Sequence, residues 1–143
     1  MEEPLTPSHA LAELAEQHAR LRAQMDRCEE LADGLDAGQI EPAQLLREVA
    51  ELRRALDAHN QFEEALLRPV LLDADWMGAV RVSRMVEDHT REHRAMGHQL
   101  TSPATPTAEL RATIAGLRAH LDGEETYFLT KRVLRDDLVR QST

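Results

Sequence analysis

The chain is poor in residues that several common functions require. One cysteine, Cys28, stands among 143 residues, so no disulfide can form within the chain, and a reducing compartment suits it. Aromatics make up only 3%. A core must therefore be built mainly from Leu, Val, Ala and Met, and base-stacking platforms are not expected. Basic charge is also scarce: 17 Lys and Arg against 26 Asp and Glu give a net charge of −9. No clustered basic footprint exists to track a phosphate backbone, so nucleic acid is not an expected partner. No apolar run approaches a membrane span. The start, "MEEPLTPSH", lacks the positive and apolar regions of a signal peptide. A cytoplasmic protein with no membrane association is expected. Gly-rich phosphate loops, His-Glu-x-x-His and Gly-x-Ser-x-Gly are absent too, which sets aside the common nucleotide-dependent and hydrolytic classes.

What remains is an ordinary soluble balance, 42% hydrophobic and 30% charged, at a length that suits one domain over residues 1–143. Proline and glycine punctuate the chain at "ADGLDAGQIEP", "PVLLDADWMG" and "TSPATPT". Thr6-Pro7 and Thr105-Pro106 each read as an N-cap followed by proline at the first helical position, and Pro42 as a first-turn proline. The segments between have helical periods. The first runs Leu11, Leu14, His18, Leu21, Met25, Cys28, Ala32, Leu35. The second runs Leu45, Val49, Leu52, Leu56, His59, Glu63, Leu66, Val70. The third runs Val82, Met85, His89, His93, Met96, Leu100. The fourth runs Leu110, Thr113, Leu117, His120, Glu124, Tyr127, Lys131, Leu134, widened by Ile114, Leu121 and Phe128. Such spacing predicts four amphipathic helices, at roughly 8–34, 42–72, 76–101 and 106–138. Short connections favour antiparallel neighbours. The expected fold is all-α, an up-down-up-down four-helix bundle.

The stripes carry residues that a core does not normally take. His18, His59, Glu63, His89, His93, His120 and Glu124 fall on buried faces of all four helices. A buried carboxylate without a partner costs several kcal/mol or changes its pKa until it is neutral. Seven such groups are a heavy load for a fold with roughly 5–15 kcal/mol of net stability. A metal centre removes the conflict, since imidazole nitrogens and carboxylate oxygens suit iron, manganese or zinc. The i, i+4 pairs place both members on one helical face. Seven donors exceed one tetrahedral site and suit two ions, with the carboxylates bridging and the histidines terminal. His89 and His93 leave an alternative open. One of them can point away, leaving six ligands, with Glu92 or Asp88 entering as a partner of a ligating imidazole. Glu64 and Glu125 follow the proposed ligands by one residue. Spacing reads them as solvated carboxylates at the stripe edge, with a role behind or at the metal as the alternative. Tyr127 reads as packing, or as a hydrogen-bonding neighbour of the site.

The order His, His-x3-Glu, His-x3-His, His-x3-Glu resembles the hemerythrin fold and the wider hemerythrin-like HHE cation-binding family. The resemblance runs from about His18 to Leu134 and includes the doubled carboxylates of "HNQFEEALLRP" and "HLDGEETYFL". It implies a non-haem di-iron centre with an oxo or hydroxo bridge, although other divalent metals can load in a preparation. By that analogy His89, His93 and His120 bind one iron. His18 and His59 bind the other, which keeps an open position, and Glu63 and Glu124 bridge. Oxygen-carrying hemerythrins end with His-x4-Asp, whereas this chain has His-x3-Glu, closer to HHE proteins linked to sensing, peroxide handling or iron response. The expected partner is O2, peroxide or another small diatomic ligand. The expected function is to bind or sense such an oxidant. The alternatives are a di-iron enzyme that decomposes peroxide or oxidises a small reductant and, ranked lower, a metal-free helical interaction module. A ferritin-like oxidase needs Glu-x-x-His on two helices, and no histidine here has Asp or Glu three residues before it.

Overall fold

The computed structural model describes residues 7–74, 77–101 and 107–127. Helix α1 spans Pro7–Asp36, α2 Pro42–Ala74, α3 Gly78–Thr101 and α4 Thr107–Tyr127. Several expectations fall outside the described residues: Thr6 and Thr105-Pro106 as helix starts, Trp76, and Phe128, Lys131 and Leu134 in the continuation of the fourth helix to 138. So do the side chains of Val70, Met96, Leu100 and Tyr127.

The helix ends have local causes. Gly38, at φ 69°, closes α1 in the left-handed conformation that glycine adopts without a Cβ penalty. Gln39 N–H then donates to Gly34 O at 2.8 Å and Gly38 N–H to Leu35 O at 3.0 Å, the two bonds of a Schellman closure. Pro42 opens α2, where a missing N–H costs nothing, and Gln44 Oε1 accepts from Glu41 N–H at 3.1 Å. The second helix, expected to about residue 72, runs through Pro69 to Ala74. Proline removes the bond to Ala65 O, and both residues are exposed, so water can satisfy that carbonyl.

The helices form a ring in which α1 meets α2 and α4, and α3 meets α2 and α4. Partners run in opposite senses along each pair. From α1 to α4, Arg22 pairs with Asp122, Glu29 with Arg118, and Asp36 with Arg111. From α2 to α3, Asp57 pairs with His93 and Glu64 with His89. Gln17–His59 and Arg27–Glu48 join α1 to α2 in the same way. The exposed ion pairs between α1 and α4 are worth about 0–1 kcal/mol each and chiefly set register.

Apolar burial is split into two blocks. One holds Leu21, Met25, Cys28, Leu52, Leu56, Ile114, Leu117 and Leu121, among others. The second holds Leu14, Leu67, Leu71, Val82 and Met85. Along α1 and α2 the histidines and glutamates fall where one block gives way to the other, His18 between Leu14 and Leu21, His59 and Glu63 between Leu56 and Leu67, while α3 adds only to the second block and α4 only to the first. The polar layer is therefore clamped by hydrocarbon. No helix of the described residues is long and apolar enough to cross a membrane.

Candidate metal centre

Six side chains from all four helices meet in that layer. α1 supplies His18, α2 His59 and Glu63, α3 His89, and α4 His120 and Glu124. His18 and Glu63 are fully buried, Glu124 is 2% exposed, and His120 is the most open at 12%. The imidazoles form two edge-on pairs, His18 with His59 at 4.9 Å between ring centroids and His89 with His120 at 5.5 Å.

Both carboxylates lie between the pairs. Glu63 Oε2 is 2.9 Å from His59 Nε2 and 3.7 Å from His18 Nε2, and its Oε1 is 3.2 Å from His89 Nε2. Glu124 Oε2 lies 3.8 Å from His18 Nε2, while its Oε1 lies 3.8 Å from His89 Nε2 and contacts His120 Nε2. Two donor groups result, each with ligand atoms within 4.8 Å of one another: His18, His59, Glu63 and Glu124, and His89, His120 and Glu124. Glu124 belongs to both.

The imidazoles are held from behind. His18 Nδ1 is 2.9 Å from Glu125 Oε1, His89 Nδ1 is 2.8 Å from Glu64 Oε1, and His59 Nδ1 is 2.6 Å from Gln17 Oε1. Glu92 Oε1 lies 3.1 Å from His120 Nδ1. An acceptor at Nδ1 places the proton there and leaves Nε2 as the free lone pair, the arrangement metal-bound histidines use. The four Nε2 atoms and both oxygens of Glu63 and of Glu124 have no hydrogen-bond partner although they are buried. Each such atom costs about 1–3 kcal/mol if nothing compensates it. The donor set fits a pair of cations.

Without a cation, protons take that role. Burial opposes a charged His89, but the Glu124 and Glu63 carboxylates outweigh it and push its pKa up to about 11. Burial likewise opposes the charged forms of His18 and His120, and the carboxylates still raise both, Glu63 and Glu125 acting on His18 and Glu124 on His120. Burial opposes the charge on Glu63 as well, yet Glu124 and the imidazoles of His18, His59 and His89 hold it well below the usual carboxylate range. Glu92 differs: burial pushes it up to about 7. The Cys28 thiol, buried among leucines, is pushed up to about 12 and is inert.

One expected ligand lies elsewhere. His93 does not join the cluster; its side chain is 54% exposed, with Nδ1 3.2 Å from Asp57 Oδ1 and Nε2 3.3 Å from Arg53 Nη2. The buried face of α3 alternates strictly, Gly78, Val82, Met85, His89, Glu92, in steps of four and three. A second step of four from His89 rolls position 93 off the stripe toward the edge of α2, and Glu92 takes the inner place. Glu64 and Glu125 are not simply solvated, since each meets an imidazole. Asp88 Oδ2 stands 3.8 Å from His120 Nδ1, farther than Glu92. Sequence reasoning missed Gln17 and Arg22, which lie off the stripe. Their roles depend on the register of α1 against α2 and α4, which no single helix encodes.

The family model of the hemerythrin HHE cation binding domain matches residues 9–131. Neither the curated proteins nor the solved structures supply a match. With that match spanning most of the chain and the donor cluster inside it, the chain belongs to the hemerythrin HHE cation-binding domain family.

Proposed function

We propose that the chain holds two iron ions, joined by an oxo or hydroxo bridge, and uses them to bind or sense O2 or a related small oxidant. The observation that carries this reading is the set of eight buried donor atoms that meet only one another, with no partner outside the cluster, arranged as two imidazole pairs with a carboxylate facing both. His18 and His59 would hold one ion, His89 and His120 the other, and Glu63 and Glu124 would span them. An oxygen and nitrogen donor set of this kind suits iron, and also accepts manganese or zinc. When bound, a ferrous pair would supply the electrons that an oxidant takes up. The surrounding residues orient the imidazoles through Nδ1, and Leu21, Met85, Leu117 and Leu121 restrict water on either side of the layer.

A second reading is an enzyme that decomposes peroxide or oxidises a small reductant at the same centre. It is favoured by a cleft of about 610 Å³ between α3 and α4, which reaches His120 and Glu124 past Gly123 and Arg84. A Cβ at Gly123 would meet nothing within 4 Å, so the passage beside Glu124 is open. The test is to load the protein with iron, reduce it without oxygen, and admit O2 while following the visible spectrum. A band that disappears under vacuum supports binding. Irreversible conversion to a ferric spectrum, with repeated consumption of peroxide, supports the enzyme. No iron-dependent spectrum refutes both.

A further inference from the structure

The four imidazoles of the centre are not backed alike. His89 Nδ1 is hydrogen-bonded to the Glu64 carboxylate, which no arginine reaches among the described residues, while His120 Nδ1 stands 3.1 Å from Glu92, a buried carboxyl to which Asn60 donates. His18 also faces a carboxylate, Glu125, but Arg22 grips it with two nitrogens at 2.7 and 3.0 Å and offsets its charge. His59 faces a neutral amide. The orientation of that amide is defined, because Gln17 Nε2 donates to Glu13 Oε1 at 3.2 Å, leaving Oε1 to accept from His59 at 2.6 Å.

An acceptor at Nδ1 draws the proton and raises the electron density that Nε2 offers a cation. A free carboxylate does this more than an amide or an arginine-paired carboxylate. The two halves of the centre are therefore electronically unequal. We infer that Gln17 is a positioning residue that makes His59 the weakest donor of the centre, so that the ion at His18 and His59 is the more loosely held and the more electrophilic of the two. This rests on the two-ion reading above. Gln17 and His59 also line a cleft of about 640 Å³ between α1 and α2, together with Ala58 and Phe62. The more electrophilic position thus lies beside a space that a small ligand can enter.

Exchanging two neighbours tests the inference without altering net charge. In the double variant Glu13→Gln/Gln17→Glu, a carboxylate stands behind His59 and the amide one turn away. Cobalt(II) serves as the probe, titrated into the full chain and followed by its d–d absorption. The unaltered protein is expected to take up two ions in separate steps. The exchange should tighten the weaker step about tenfold or more, and Gln17→Leu should loosen it by about 10–100-fold, while the stronger step hardly moves. The d–d band of the weaker step, and the proton resonance of its Nδ1–H, should move in the exchange variant, which a purely structural role would not cause. Two ions whose steps shift together, or not at all, in the exchange variant overturn the inference alone. Fewer than two ions in the unaltered protein overturn the two-ion reading and the inference with it.

Discussion

Removing the metal should cost the fold a large share of its stability. Eight buried donor atoms converge with no hydrogen-bond partner, and the metal-free layer relies on imidazolium–carboxylate pairs for compensation. An ion that binds only the folded state adds about 2.7 kcal/mol when its concentration is 100 times its dissociation constant. Two ions therefore add about 5 kcal/mol, against roughly 5–15 kcal/mol for a whole domain. At about 3–5 °C per kcal/mol for a chain of this size, the expected fall in Tm on chelation is on the order of 15–25 °C. The assay is thermal unfolding by circular dichroism at one pH, first with two equivalents of metal confirmed by elemental analysis, then after chelation. A Tm that moves by less than about 3 °C, once loading is verified, refutes the reasoning, because such a layer would be fully compensated by protons alone.

The metal-free protein has a pH signature with a definite sign. His89, raised from 6.5 to about 11, contributes stability that is fully present below pH 6.5 and lost as pH rises through 11. Glu92, raised from 4.5 to about 7, acts in the same sense and loses its contribution as pH rises through 7. Glu63, lowered from 4.5, contributes stability present above pH 4.5 and lost as pH falls. Urea midpoints of the metal-free chain should therefore peak between about pH 4.5 and 6.5, and a peak above pH 8 contradicts the assignment. Metal affinity should run the other way and rise with pH, because the imidazoles must lose their protons to bind; a pH-independent affinity contradicts that. His93→Ala should leave the metal stoichiometry unchanged and stability within about 0.5 kcal/mol, checked by elemental analysis and urea unfolding. Loss of an ion in that variant would return His93 to the ligand set. Leu56→Ala, at a position 1% exposed beside the polar layer, should cost about 2–5 kcal/mol by urea unfolding; a cost below 1 kcal/mol would mean that the block is loosely packed.

The helices were legible because leucine spacing is a local signal that repeats over many turns, and the ligand layer because six histidines and glutamates interrupt that spacing at matching places. Position 93 shows the limit of the method. Steps of three and four residues from His89 both stay near one face, and only the packing of α3 against α2 and α4 decides that Glu92 turns inward. Pro69 did not mislead the reading: the expected helix over 42–72 already passed through it, and an exposed proline is tolerated there because the carbonyl it orphans also faces water. The partners behind the imidazoles were partly visible as the doublets Glu63-Glu64 and Glu124-Glu125, whose second member flanks the stripe. Gln17, Arg22 and Asn60 carried no such mark. Asn60 Nδ2 reaches Glu92 at 3.4 Å only because α2 and α3 are in one particular register, and register belongs to the assembled bundle.

The central claim is that two ions sit between the two imidazole pairs. Crystals of the iron-loaded chain, with anomalous diffraction collected at the iron edge, test it most directly. The account predicts two peaks per chain, one about 2.0–2.2 Å from Nε2 of His18 and of His59, the other equally close to Nε2 of His89 and of His120, with Glu63 and Glu124 touching both. A single peak, or a peak at His93, would contradict it.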